Sequence, residues 1–142
     1  MDGAILSFFS GHEGVLPLYA AWEKALAEQI GNVQIKVHKT QISFCRKRLF
    51  ACVSFLPARR AKERPQHFLT VTFGLPERME SPRIDAAVEV SPHRWTHHVL
   101  IGRPEEFDEE LMAWIREAAA FAERKRPSER KSHGKKQRME SI

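Results

Sequence analysis

The stretch VQIKVHKTQISFCRKRLFACVSF, Val33 to Phe55, decides the fold. Val33, Ile35 and Val37 alternate with Gln34, Lys36 and His38, the period of two that marks a strand with one buried face. Ile42 and Phe44 continue the alternation beyond the polar Lys39-Thr40-Gln41 break, and Phe50 to Phe55 resumes it after Arg46-Lys47-Arg48. The pattern predicts a meander of three short antiparallel strands with cationic side chains on its outer face and turns. It carries no catalytic signature.

Toward the N-terminus, Ile5, Leu6, Phe8 and Phe9 form an apolar lead-in, and Ser10 and Glu13 have the spacing of a capping box. Val15, Tyr19, Trp22, Leu26 and Ile30 then recur at helical spacing, with Glu23, Lys24, Glu28 and Gln29 opposite. Pro17 is tolerated only near a first turn, so the helix is predicted to begin close to Gly14 and to end at Gly31-Asn32. Toward the C-terminus, Pro57 to Pro65 reads as a polar loop, Phe68 to Phe73 as a fourth strand, and Gly74 to Pro82 as another loop. Ala86 to Val90 and Trp95 to Ile101 are two further strand candidates, separated by Ser91-Pro92-His93. Pro104-Glu105-Glu106 is read as the start of a last helix, with acids at its positive end. Phe107, Leu111, Trp114, Ile115, Ala118, Phe121 and Ala122 supply its apolar stripe. The order predicts one α+β domain over residues 1–123: an N-terminal helix, a five- or six-stranded mainly antiparallel sheet and a C-terminal helix, both helices on one sheet face. The other face is then wet, open to a ligand, or buried in a homodimer.

Charge is unevenly distributed. Of the 23 Lys and Arg residues, eight fall between Arg124 and Ile142, against two of the 18 acids, so the rest of the chain is near neutral at net −1. Residues 124–142 read as a basic, disordered tail, and the high isoelectric point belongs to that tail and not to a folded surface. Cys45 and Cys52 have no C-x-x-C spacing and read as free thiols in a reducing cytoplasm. No apolar run approaches the ~20 residues that span a bilayer, and no signal sequence is visible, so the expectation is a cytoplasmic protein with no membrane partner.

Four local patterns resemble a bacterial family of small domains catalogued as a domain of unknown function and also labelled "predicted transport protein". They are Phe8-Phe9 before a first helix; Lys39-Thr40-Gln41-Ile42-Ser43-Phe44-x-Arg46-Lys47 leading to Phe50-Ala51; Arg94-Trp95-Thr96-His97-His98-Val99; and Asp108-Glu109-Glu110-Leu111-x-x-Trp114-Ile115-x-Glu117-Ala118. The resemblance runs from about Ser7 to Phe121 and departs from the pattern at Ala118-Ala119, where Ala-Tyr is usual. It implies a compact α+β domain, sometimes found beside nucleic-acid-processing domains, with no accepted activity or catalytic residue.

Candidate chemistry is sparse. His93 and His97 have the i, i+4 spacing of a helical metal pair, but in strand and turn such positions lie more than ~12 Å apart, and no H-E-x-x-H occurs. Neither a metal nor a cofactor is called for. Cys45 as a nucleophile requires a lowered pKa and a positioned base, and the strand context favours a small core filler. No Gly-rich phosphate loop or nucleophile elbow is present. The cations are the strongest hint. Lys36, Lys39, Arg46, Arg48, Arg94, Trp95 and His97 are the candidate binding residues, on the expectation that they share the helix-free face or its rim. Cations beside an aromatic suit phosphate contact and ring stacking, although lysines and arginines on exposed strands also suppress aggregation. The sequence therefore points to a noncatalytic binding module associated with nucleic acid through a cationic face and a basic tail. The alternative is a small-molecule or metal-ion handling protein with an anion pocket formed by Lys39, Arg46, Arg94 and His97. An enzyme acting through Cys45 or His97 is the third reading.

Overall fold

The computed structural model describes residues 1–124. Residues 125–142, all but the first residue of the expected basic tail, lie outside the described part. The elements run α1 (Gly3–Phe8), α2 (Leu16–Gln29), β1 (Gln34–Val37), β2 (Gln41–Cys45), β3 (Leu49–Ser54), β4 (Leu69–Leu75), β5 (Ala86–Ser91), β6 (Arg94–Ile101) and α3 (Glu109–Glu123). The strands form one antiparallel sheet in the order β1-β2-β3-β4-β6-β5, the α+β architecture read from the sequence.

Alternation along each strand sends Ile42 and Phe44, Val53, Val71 and Phe73, and Val99 and Ile101 to one face, where all are buried. The helices cover that face. Trp22 of α2 packs edge-on against Phe44, with ring centroids 5.4 Å apart, and Trp114 of α3 stacks on Phe73 at 6.2 Å. Tyr19 and Leu26 of α2, and Leu111, Ile115 and Ala118 of α3, complete a single core. A bulge between Phe44 and Cys45 leaves Phe50 as an extra residue, so Phe50 and its neighbour Ala51 both join the core.

Three local expectations change. The lead-in is itself a short helix, capped by Asp2, whose carboxylate accepts the Ile5 N–H at 3.0 Å. Ser10 is no helix cap: Glu13 turns back to accept the Gly11 N–H at 3.0 Å, and α2 starts at Leu16 after a 3-10 turn over Glu13–Val15. Pro104–Glu106 is a separate 3-10 turn in which Glu106 accepts the Gly102 N–H at 2.7 Å. Asp108 caps α3, accepting the Leu111 N–H at 3.1 Å. No helix among the described residues is long and apolar enough to cross a membrane.

Candidate functional site

The helix-free face has a different chemistry from the one the cations suggested. Register partners run in a row across all six strands: Lys36 on β1, Ser43 on β2, Cys52 on β3, Thr72 on β4, His98 on β6 and Ala86 on β5. Paired residues point to the same side, and this row lies opposite Phe44, Val53, Val71 and Val99. Most of the face is small and neutral: Ser43, Cys52, Thr72 and Thr96 are all buried. The segment after β3 closes one end. Leu56 offers its carbonyl to the Thr70 hydroxyl at 2.6 Å, and Arg59 pairs with Asp85 at 2.9 Å and donates to the Leu100 carbonyl at 3.2 Å.

From that closed end and the β1–β2 turn beside it, a groove of about 730 Å³ runs along the sheet to Leu49 at the start of β3. Its floor holds Cys52, Ser54, Thr72 and His98, with Leu49 and Gln41 beside them, and Leu56 contributes to its wall. Phe8, Phe55 and His12 form an aromatic wall in which His12 lies on Phe55 at 4.3 Å and Phe55 on Phe8 at 5.5 Å. Ser10, Lys39 and Thr40 stand at the rim. The volume falls in the range of small-molecule sites, roughly 300–1,000 Å³. Among the described residues the lining contains one lysine, two histidines and no carboxylate. A second hollow, between Arg94, Trp95 and the end of α3, has about 20 Å³, room for a single water.

On the groove floor, Thr72 Oγ1 and His98 Nδ1 are 2.8 Å apart. Burial holds the His98 imidazole below its ordinary pKa, so it is neutral near pH 7. Burial pushes the Cys52 thiol up to about 11, with the Thr72 hydroxyl drawing it back in part, and burial raises Cys45 as well. Both cysteines are free and buried thiols, protonated at neutral pH, which is the opposite of what a nucleophile needs.

The sequence-derived candidates do not assemble into one site. Lys36 is exposed on the edge strand, and Lys39 stands at the groove rim. Arg46 and Arg48 occupy the β2–β3 turn at the other end of β2, about 13 Å away at strand rise. Arg94 begins β6 at that same far end. Trp95 and His97 lie on the helix side, because alternation places them with Val99 and Ile101: Trp95 is half-buried with the Arg78 guanidinium 5.9 Å over its ring. His97 is fully buried, stacked on Phe73 at 5.3 Å, and its Nε2 accepts the Met79 N–H at 2.9 Å. The four-residue anion pocket of Lys39, Arg46, Arg94 and His97 is therefore not formed. His93 sits in the β5–β6 turn with φ 63°, and no cluster of three His, Cys, Asp or Glu side chains suited to a metal exists among the described residues. Reading the strands by parity would have grouped Thr72 with His98, but the groove's aromatic wall joins Phe55, at the end of the alternating stretch, to Phe8 and His12, whose segments show no period.

Comparison with known proteins adds one match. The profile of a family described as a domain of unknown function, DUF5655, covers residues 5–122. No curated protein and no solved structure matches the chain.

Proposed function

Since the chain belongs to this family of domains of unknown function, whose description names no activity, we propose a function on the groove's own chemistry: the domain is a noncatalytic module that binds a small organic anion on its helix-free face. The observation that carries this reading is a ligand-sized groove whose lining, among the described residues, includes Lys39 and no carboxylate. An anion entering it meets no like charge, finds hydroxyl, amide and imidazole donors, and can lay an apolar part against Phe8 and Phe55. This is the anion-pocket alternative in altered form, with Lys39 retained and Arg46, Arg94 and His97 replaced by Gln41, Ser54, Thr72 and His98. A carrier of small acids also suits the transport label that accompanies the resemblance.

A panel of mono- and dicarboxylates and inorganic phosphate, added to amide- and methyl-labelled full chain, tests it. Binding should move the NMR signals of Gln41, Ser54, Thr72 and His98 and raise the melting temperature. Shifts confined to the Arg46–Arg48 turn, or no binding by any acid, would overturn it.

A nucleic-acid-associated role remains a second reading, supported by one contact. The Lys47 N–H donates to the Glu123 carboxylate at 3.1 Å, which sets Arg124, the first residue of the basic segment, beside the Arg46–Arg48 turn. Cations at that end would contact phosphates without reading sequence, and affinity would fall steeply with salt. Fluorescence anisotropy on short DNA and RNA across a salt series measures it, and salt-insensitive binding would count against it.

A further inference from the structure

Of the groove's three basic side chains, His12 is taken up by its stack on Phe55 in the wall, and two stand where the ends of an acid can each meet a full positive charge. One is the Lys39 ammonium at the rim. The other is His98 on β6, three strand spacings from β2 into which Lys39 leads, or about 14 Å at ordinary sheet spacing. His98 is held by one nitrogen: Nδ1 meets the Thr72 hydroxyl at 2.8 Å, and Nε2 is neither bonded within the described residues nor sealed off from solvent. Among the described residues its surroundings supply no counter-charge. Cys52 and Ser54 face it from β3, Thr72 from β4 and Ala86 from β5, all neutral. Asp85, whose backbone N–H donates to the His98 carbonyl at 2.9 Å, has its carboxylate engaged by Arg59 and by the Leu100 N–H at 2.8 Å. Lys36 lies at the far edge of the same row, and His97 points to the other face.

We propose that the groove takes an elongated organic diacid, one acidic end at Lys39 and the other at His98 Nε2, and that His98 acquires a proton from solvent as the diacid binds. This rests on the anion-groove reading and deepens it. Without an acid beside it His98 stays neutral, because burial disfavours the imidazolium and no carboxylate among the described residues compensates. An arriving carboxylate supplies the missing negative charge, and the new N–H on Nε2 gives it a charge-assisted hydrogen bond. The proton moves from solvent to Nε2 and no covalent bond to the ligand forms. Length selects the ligand: a monoacid satisfies one end only.

Calorimetry on the full chain tests this with aliphatic dicarboxylates of increasing length and matched monocarboxylates, in two buffers of different protonation enthalpy. Diacids of the fitting length should bind more tightly than monoacids, take up as much as about one proton, and lose affinity by up to about tenfold per pH unit on the alkaline side. His98→Gln should bind without proton uptake and with a flat pH profile, since its amide can still meet Thr72 but cannot be protonated. Should that variant fail to fold, the wild-type His98 resonance gives the same answer: a fitting diacid raises its titration midpoint. Binding without uptake, an unmoved midpoint, or equal affinity for mono- and diacids overturns the proton-linked diacid site and leaves the anion groove standing. No binding by any acid at any pH overturns both.

Discussion

The Asp108 carboxylate accepts the Leu111 N–H at the start of α3 and pairs with Arg83 at 2.7 Å, while the same Arg83 nitrogen also reaches Glu110 at 3.1 Å. Arg83 donates in addition to the Glu106 carbonyl at 2.7 Å, so this arginine ties the segment before β5 to the start of α3. Burial pushes the Asp108 carboxyl up, but the Arg83 bond and the Leu111 N–H outweigh it and hold the group below its ordinary 3.8. Its contribution is therefore complete above about pH 4 and lost as acid protonates it. Asp108→Ala should destabilise the fold by about 1–2 kcal/mol, the usual loss for a removed N-cap, with Asp108→Asn costing less because the amide oxygen still caps. Urea denaturation at neutral pH measures both; equal losses would mean that the charge pair, and not the cap, dominates. His97 acts in the opposite chemical sense but the same pH sense. Burial lowers its pKa, as it does that of His98, so the unfolded chain binds protons that the folded chain refuses. Stability should be full above about pH 6.5 and decline as pH falls below it. His97→Phe, which keeps the stack on Phe73, should flatten part of that decline while losing about 1–3 kcal/mol for the orphaned Met79 N–H. An unchanged pH slope in the variant would assign the decline elsewhere.

Among the elements, the segment between β3 and β4 is the one on which the groove depends. Asp85 anchors it with three hydrogen bonds, from Arg59 Nε at 2.9 Å, Arg59 Nη2 at 3.2 Å and the Leu100 N–H at 2.8 Å. Asp85→Ala leaves a half-buried guanidinium and a buried amide without that partner. The expected cost is about 2–3 kcal/mol, below the full penalty for breaking a buried pair because Arg59 keeps partial solvent access. Trypsin should then cut the released Arg59–Arg64 stretch faster than in the wild type; an unchanged cleavage rate would show that Thr70 and Leu56 alone hold the loop. Nothing in the sequence ties Asp85 to Arg59, because the pair joins a loop to the residue before an edge strand. The alternation of Val33, Ile35 and Val37 marked edge strand β1 but not a buried face, since Ile35 is 39% exposed. The inner strands were legible, since Ile42/Phe44, Val71/Phe73 and Val99/Ile101 alternate and each pair ends in the core. So was the stripe on α3, to which the structure adds Met112 and Ala119. A six-residue helix, Gly3–Phe8, is too short to show a period, and the 3-10 turn at Pro104–Glu106 carries the same proline and acids as a helix start. The parity of β6 was available and decisive: once Val99 and Ile101 are taken as core, Trp95 and His97 must lie with them, away from Arg94 and His98.

At the scale of the whole molecule, the sheet separates two kinds of positive charge that the sequence presents as one cluster. Lys39 stands at the groove rim at one end of β2, and the Arg46–Lys47–Arg48 turn lies at the other, beside the end of α3. Each site is thus open to test without the other. Lys39→Glu places a carboxylate at the mouth of a groove that has none, and should weaken binding of organic acids by tenfold or more, about 1.4 kcal/mol, the scale of one close charge interaction near a surface. The same change should leave binding to short nucleic acids nearly unaltered at moderate salt, since the turn is farther away than the Debye length of about 10 Å. Arg46→Glu should do the reverse, lowering any affinity for nucleic acid and its salt slope while sparing the acids. Both residues are exposed, so neither change disturbs the core, and matching melting temperatures would confirm that. A crossed result, with Arg46→Glu abolishing acid binding or Lys39→Glu abolishing nucleic-acid binding, would mean that one ligand spans the full length of β2. The groove and the basic turn would then have to be treated as a single surface, and the neutral row from Ser43 to His98 as its floor.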